Sequence, residues 1–384
     1  MTSPFTVFVL TTSRADFGIY GSVLTALEAH PDLSPELVVT GMHMSIRHGV
    51  SMGSIEASGY PVAAHFSCLE NRDLPEDIAR SMARATHAMA DILKVHKPDV
   101  LLILGDRFEM LAAAMAAVPF AVPIAHIHGG EETEGAIDNV FRHMMTKMSQ
   151  LHFAATERSG ARIRQMGEAN DRVFVTGAPA LDSIQSLARL SRDDILVRFG
   201  LDMDQPYYMV TYHPVTLDFN HSMAELRNLL RVLEQVEETI VFSGTNADTG
   251  GTQVQTAIND FASSRKNVLQ VDNFGAQAYY TVMEHAVTMI GNSSSGIIEA
   301  ASVGLPVVNI GSRQDGRERS ANIIDTDGTI ENIKAALQRA QTINGRDFEN
   351  IYCSGGAGGK IATAIAAFLN SGATARKSFA DRIV

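Results

Sequence analysis

Within Leu104–His143 the sequence sets three polar groups in close succession: Gly105-Asp-Arg-Phe108, His126-Ile-His-Gly-Gly-Glu131 and Asp138-Asn-Val-Phe-Arg-His143. Carboxylates and imidazoles at this density can take and return protons near neutral pH once burial tunes them. Asp106 stands one glycine past the apolar run Val100–Leu104, and Gly129-Gly130 lets backbone approach a ligand closely. Taken singly, each of these residues reads more simply as a helix cap or a satisfied hydrogen-bond partner. Their clustering is what points to acid–base chemistry. A metal site built on His126, His128 and Glu131 is disfavoured, because no chemistry here demands a metal and the strand alternation sets Ile127 opposite the two imidazoles.

A second constellation suits an anion. Gly291-Asn-Ser-Ser-Ser-Gly-Ile-Ile-Glu299 follows a strand-like run and opens a helix-like one, so its N–H groups and hydroxyls suit a pyrophosphate, and Glu299 can accept from ribose hydroxyls. A serine-rich helix cap is the plainer alternative. Thr11-Thr-Ser-Arg-Ala-Asp-Phe-Gly18 takes the same place after the first strand. There Arg14 is a fork donor for a diphosphate, or else a surface partner of Asp16. His213, just before Pro214, adds an imidazole at another strand end or is merely a turn residue.

The elements that must position these groups alternate along the chain. Strands are expected at Phe5–Leu10, Glu36–Thr40, Val100–Leu104, Pro123–His126, His152–Ala155 and Val173–Thr176, with helical patterns between them. This is the βαβ rhythm of a parallel sheet. Leu74–Lys97 is the clearest helix, with Ile78, Met82, Ala85, Met89, Ile92 and His96 at three- and four-residue steps, and with Asp73, Pro75 and Glu76 suiting its start. A second series follows the polar stretch Ser191–Gln205. It has strands at Tyr207–Tyr212, Thr239–Ser243, Val268–Val271, Thr288–Ile290 and Val307–Ile310, and helices at Met223–Glu237, Ala276–Ala286, Gly296–Ser302 and Ile330–Thr342. Each half reads as a doubly wound unit, with ligands beyond the carboxyl ends of the strands. Ser354-Gly-Gly-Ala-Gly-Gly-Lys360 is not a P-loop: Ser354 replaces the first glycine and Ile361 the magnesium-binding Ser or Thr, which leaves a glycine-rich turn before a helix at Ile361–Leu369.

Bulk properties agree. A chain of 384 residues with 45% apolar residues exceeds one comfortable core. A formal charge of −12, from 43 acidic and 31 basic side chains, offers no general attraction to nucleic acid or an anionic membrane. Cys68 and Cys353 alone make neither a disulfide framework nor a paired-cysteine zinc signature, so a reducing, cytoplasmic setting is expected. No signal peptide or membrane-spanning run is expected.

Across nearly its whole length the pattern resembles the UDP-N-acetylglucosamine 2-epimerase family, most closely its hydrolysing branch, which feeds sialic and legionaminic acid synthesis. The resemblance is carried by Ser13-Arg-Ala-Asp-Phe17, Gly105-Asp-Arg-Phe108, His126-Ile-His-Gly-Gly-Glu131, Asp138 with Arg142-His143, Thr146-Lys147, His213-Pro-Val-Thr216, Gly291-Asn-Ser-Ser294 and Gly311-Ser-Arg-Gln314. It implies the GT-B fold: two Rossmann-like α/β domains with a cleft between them, residues 1–185 joined by the C-terminal helix at about 361–384, and residues 200–360 holding most of the UDP. By motif position Ser293, Ser294 and Glu299 are the expected diphosphate and ribose contacts. Phe274 is expected near the uracil, Arg14, His213 and Arg313 around the anion, and Asn246 and Asp248 along the same site.

The implied chemistry loses the C2 proton and UDP, giving a 2-acetamidoglycal, and then adds water to leave the manno configuration. Asp106 and Asp138 match the acid–base positions, with Glu131 and His213 in support. UDP is then a leaving group and no cofactor is expected. One departure stands out: related sialic-acid members carry His-Ile-Glu-Gly-Gly-Glu, whereas this chain has His128. Either the imidazole transfers the proton or the sugar differs, and members with His there include those acting on UDP-2,4-diacetamido-2,4,6-trideoxyglucose. UDP-N-acetylglucosamine is the other substrate expected. A non-hydrolysing epimerase, a GT-B glycosyltransferase and a catalytically silent UDP-sugar sensor remain as alternatives, and a homodimer or homotetramer is expected, as is closure of the two domains over the substrate.

Overall fold

The computed structural model describes residues 3–72, 74–134, 137–215, 218–244, 251–343 and 347–381. The chain divides into two compact units, one of Met1–Glu131, Asp138–Ser183 and Tyr352–Val384, the other of Glu132–Ile137 and Ile184–Ile351. The first contains β1 (Phe5–Thr11), α1 (Arg14–Ala29), β2 (Leu33–Val39), α2 (Met52–Glu56), β3 (Val62–His65), α3 (Pro75–His96), β4 (Val100–Leu104), α4 (Phe108–Ala117), β5 (Ile124–Ile127), α5 (Asp138–Met148), β6 (Leu151–Ala154), α6 (Glu157–Gln165) and β7 (Val173–Val175). The boundary falls within α7 (Pro179–Ser186). The second contains α8 (Arg192–Phe199), β8 (Tyr207–Thr211), α9 (Phe219–Leu233), β9 (Thr239–Ser243), α10 (Gly251–Ser263), β10 (Val268–Val271), α11 (Gly275–His285), β11 (Thr288–Gly291), α12 (Ser294–Ile298), β12 (Val307–Ile310), β13 (Ile323–Thr326) and α13 (Ile330–Gln341). The last helix, α14 (Ala357–Asn370), belongs to the first unit.

Both sheets are parallel, in the orders β3-β2-β1-β4-β5-β6-β7 and β10-β9-β8-β11-β12-β13. Strands covered on both faces must be apolar along their whole length. β4, with all five residues buried, is such a strand. In each order the direction of winding reverses once, between β1 and β4 and between β8 and β11. The strand ends at a reversal diverge, leaving a crevice where ligands of doubly wound sheets bind.

The expected strands appear within a residue or two of their places, except that the second begins three residues earlier, at Leu33. β3 and β13 are additional. Both are four-residue edge strands, half exposed, with too short a run to stand out in sequence. The buried residues of α3 are Asp77, Ser81, Ala85, Met89 and Leu93: Ala85 and Met89 keep their expected places, Met82 and Ile92 are half-buried against the core, His96 is exposed, and the buried Asp77 pairs with the exposed Arg72 and Arg80. Its N-cap is Leu74 with Pro75 as the first helical residue; Asp73 lies outside the described residues. α14 packs on α1 through Gly358, where a Cβ would stand 2.4 Å from the Ser22 carbonyl oxygen. Lys360 folds back onto Ser354, 2.9 Å from its carbonyl oxygen.

Candidate functional site

At the carboxyl end of β1, Asp16 organises the turn. Its carboxylate accepts from the backbone N–H groups of Thr12 and Ser13 at 2.9 and 3.0 Å and from both threonine hydroxyls, and Ser13 closes a capping box at the start of α1. Asp16 is thus consumed by the loop and is no surface partner for Arg14. Arg14 instead donates to the Gly49 carbonyl at 2.8 Å, from an exposed position.

The neighbouring ends of β4 and β5 carry the acid–base cluster. Arg142 on α5 is 1% exposed, and its guanidinium reaches both the Asp106 carboxylate and the Glu131 carbonyl oxygen, the latter at 2.7 Å. Glu131 in turn meets Nδ1 of His128 at 2.5 Å. Asp106, Arg142, Glu131 and His128 therefore form one connected network. Asp138, half-buried, opens α5 one turn before Arg142, which puts the two on the same helix face. Gly130 is required by contact: a Cβ there (φ 75°) would lie 2.3 Å from the Ser159 carbonyl oxygen.

In the second unit the β8 and β11 ends meet through Asn292, which is fully buried. It exchanges two hydrogen bonds with the His213 backbone, at 2.7 and 2.8 Å, and its own carbonyl accepts from Arg313 at 3.2 Å and Gln314 at 2.8 Å. Gly291 (φ 132°) makes this crossing possible, since a Cβ there would fall 2.0 Å from the Thr211 carbonyl oxygen. Ser293 caps the short α12, Ser294 is its first residue, and Tyr279, Ser295 and Glu299 form a hydroxyl-to-carboxylate chain with steps of 2.8 and 2.6 Å. Phe274, 8% exposed, packs its ring against Phe199 at 4.9 Å and Tyr279 at 6.5 Å. Asn246 and Asp248 lie outside the described residues, as does Thr216.

Residue by residue, the structure joins Asp106, Glu131 and His128 through Arg142, and His213 and Arg313 through Asn292. Both connecting residues sit inside the quoted motifs, where spacing alone does not disclose that they join separate segments. For Arg142 the i,i+4 spacing from Asp138 was the available signal.

Burial sets the electrostatics. It pushes the His213 imidazole well below its ordinary range, and Arg313 adds to that, so the ring is neutral at physiological pH. His126, wholly buried with Nε2 2.7 Å from the Gly105 carbonyl, is pushed down to about 3, again chiefly by burial. The unfolded chain protonates this imidazole below pH 6.5, and the folded chain does not until about pH 3, so stability is lost as pH falls through that window. Acidifying from pH 7 to 5 is expected to cost about 2 kcal/mol from His126 alone. Urea titrations at both pH values check this, and His126→Asn should flatten the dependence; equal slopes for the two proteins would place a charged, solvated imidazole at this position.

No group of three or more metal-binding side chains among the described residues is placed to hold an ion, and no described helix is long and apolar enough to cross a membrane. The model of the UDP-N-acetylglucosamine 2-epimerase family matches residues 25–366. A UDP-N,N'-diacetylbacillosamine 2-epimerase (hydrolyzing) from Legionella pneumophila is 34% identical over 91% of this chain and 92% of its own. A GDP/UDP-N,N'-diacetylbacillosamine 2-epimerase (hydrolyzing) from Campylobacter jejuni is 33% identical over 88% and 87%. Among solved structures, the UDP complex of S. aureus MnaA superposes with a TM-score of 0.79 at 17% identity, over 95% of this chain and 97% of that one. The two doubly wound α/β units are the fold of that structure.

Proposed function

The chain belongs to the UDP-N-acetylglucosamine 2-epimerase family, and from that premise we propose that it is a hydrolysing 2-epimerase acting on UDP-2,4-diacetamido-2,4,6-trideoxyglucose. N,N'-diacetylbacillosamine is the trivial name of that diacetamido sugar, and relatives bearing it and the word hydrolyzing span about nine-tenths of the chain. The observation that carries the chemistry is the network of Asp106, Arg142, Glu131 and His128 at one sheet edge, which a protein that only binds UDP-sugars has no use for.

In this reading the C2–H bond breaks, its electron pair becomes the C1–C2 double bond, and the C1–O bond breaks with its pair leaving on UDP. Water then adds across the glycal, hydroxyl to C1 and hydrogen to C2, and the net reaction is UDP-sugar plus water to UDP plus the free manno sugar. Asp106 and Asp138 serve as the acid–base pair of the hydration. The turn at Ser293 and Ser294, with Arg14, His213 and Arg313, receives the departing diphosphate, and Glu299 the ribose, while Phe274 borders the uracil.

Incubation with this substrate and, separately, with UDP-N-acetylglucosamine in deuterated water, followed by proton NMR, tests the reading. Free UDP and a manno sugar deuterated at C2 from the diacetamido substrate are the expected products. Release of UDP-linked manno sugar would mark the non-hydrolysing reaction, and turnover of UDP-N-acetylglucosamine alone would reassign the substrate. Asn292→Ala is expected to weaken UDP binding about 10-fold or more, because the two side-chain hydrogen bonds that fix the His213 backbone, each worth about 1 kcal/mol, are lost, while the backbone carbonyl that accepts from Arg313 and Gln314 remains. Calorimetric titration with UDP reads this, and undiminished affinity would put the diphosphate elsewhere.

A further inference from the structure

His128 has left-handed backbone, φ 63°, a conformation shared among described non-glycine residues only with Lys97 and Ala121, which are exposed. His128 is instead buried at the carboxyl end of β5, with its N–H bonded to the Phe153 carbonyl at 2.9 Å. Glycine or asparagine would hold such a turn with less strain, so the turn itself gives no reason for an imidazole.

The ring is held at one end. Nδ1 lies 2.5 Å from Oε1 of Glu131, whose side chain is 3% exposed. An ionised carboxylate only accepts, so Nδ1 carries the hydrogen and Nε2 is the lone-pair nitrogen. Among the described residues Nε2 has no hydrogen-bond partner, and it is not a buried atom: it opens to solvent. His126 differs on both counts. Its Nε2 is committed to the Gly105 carbonyl, and its buried Nδ1 faces Gly129, where a Cβ would stand 3.1 Å away. The Glu131 end is itself braced, by Arg142 on its carbonyl and by Arg162 on that of Gly130.

We propose that His128 and Glu131 form a dyad in which Nε2 of His128 takes the C2 proton of the sugar, while Glu131 is a positioning residue that fixes the tautomer and steadies the imidazolium. The assignment rests on the epimerase reading. The proton leaves C2 for Nε2 as the C1–C2 double bond forms and UDP departs with the C1–O pair. Asp106, whose carboxylate is engaged by Arg142, is left to the hydration step.

Two measurements on the full chain test this. Long-range nitrogen–proton correlation of the histidine rings, without substrate, should show His128 as the Nδ1–H tautomer in the parent and a tautomer mixture in Glu131→Gln; an Nε2–H ring in the parent, or an unchanged ring in the variant, overturns the dyad. With substrate, His128→Asn, chosen because asparagine tolerates the left-handed turn, should lower kcat about 100-fold or more, and Glu131→Gln about 10- to 100-fold, with KM within about 3-fold for both. Retained kcat in His128→Asn, or a loss confined to KM, overturns the proton transfer. Should the parent turn over no UDP-sugar, the epimerase reading and the C2 step fall together, while the ring spectra still judge the dyad.

Discussion

Asp106→Asn is expected to lower kcat for release of the free sugar by about three orders of magnitude while KM changes by no more than a few-fold. The amide keeps the size of the carboxylate and can still accept from Arg142, so the loop after β4 should hold its shape. What is lost is the ability to take and return a proton. If Asp106 serves hydration, elimination still proceeds, and UDP with 2-acetamidoglycal should accumulate in a stoichiometric burst. Quenched-flow product analysis distinguishes this from a general loss of activity. A variant that makes product at the parental rate would reduce Asp106 to a structural partner of Arg142, and one that makes neither glycal nor sugar would move it to the elimination. Stability should fall as well, because Arg142 is 1% exposed and the variant leaves its buried guanidinium without the Asp106 charge, so activity is compared well below the Tm of the variant.

How far the sequence discloses this site depends on the range of the interactions involved. The strands were legible because burial on both faces demands unbroken apolar runs, and the reversals at β1/β4 and β8/β11 fall where the motif-bearing loops begin. Short edge strands escaped because Val62–His65 and Ile323–Thr326 are half exposed and carry no such run. In sequence Asp16 is a possible salt-bridge partner of Arg14, and only the three-dimensional turn shows four donors converging on it. The same holds for His43, which bridges Thr11 and Ser51 by 2.9 and 2.7 Å contacts beneath that turn; it comes from a stretch with no motif and would be found only by asking what satisfies a buried threonine. Asn292 and Arg142 stood in view within motifs, but their function is to join segments 79 and 36 residues apart, which spacing alone does not reveal.

Arg142→Met should be the most damaging single change in the first unit. The guanidinium is almost wholly buried and is shared between a carboxylate from β4's end and a carbonyl from the loop after β5, so it sets the distance between Asp106 and the His128–Glu131 pair. Methionine fills much of the same volume but leaves the Glu131 carbonyl without this donor and Asp106 without its counter-charge. Breaking a buried charged pair by removing one partner typically costs about 3–5 kcal/mol. For a unit of this size, that corresponds to a fall in Tm of roughly 6–20 °C. Activity should fall about 100-fold or more even well below the new Tm, since a shift of about 1 Å in a proton-transfer group has effects of that order. Arg142→Lys separates the two contributions: the charge remains, but one ammonium cannot serve two acceptors in the geometry of a planar fork, so stability should recover more than kcat does. The decisive comparison is Arg142→Met combined with Asp106→Asn. If the arginine acts on catalysis through Asp106, the double variant should be no slower than the slower single one; if their effects on kcat multiply instead, Arg142 acts mainly through Glu131 and His128.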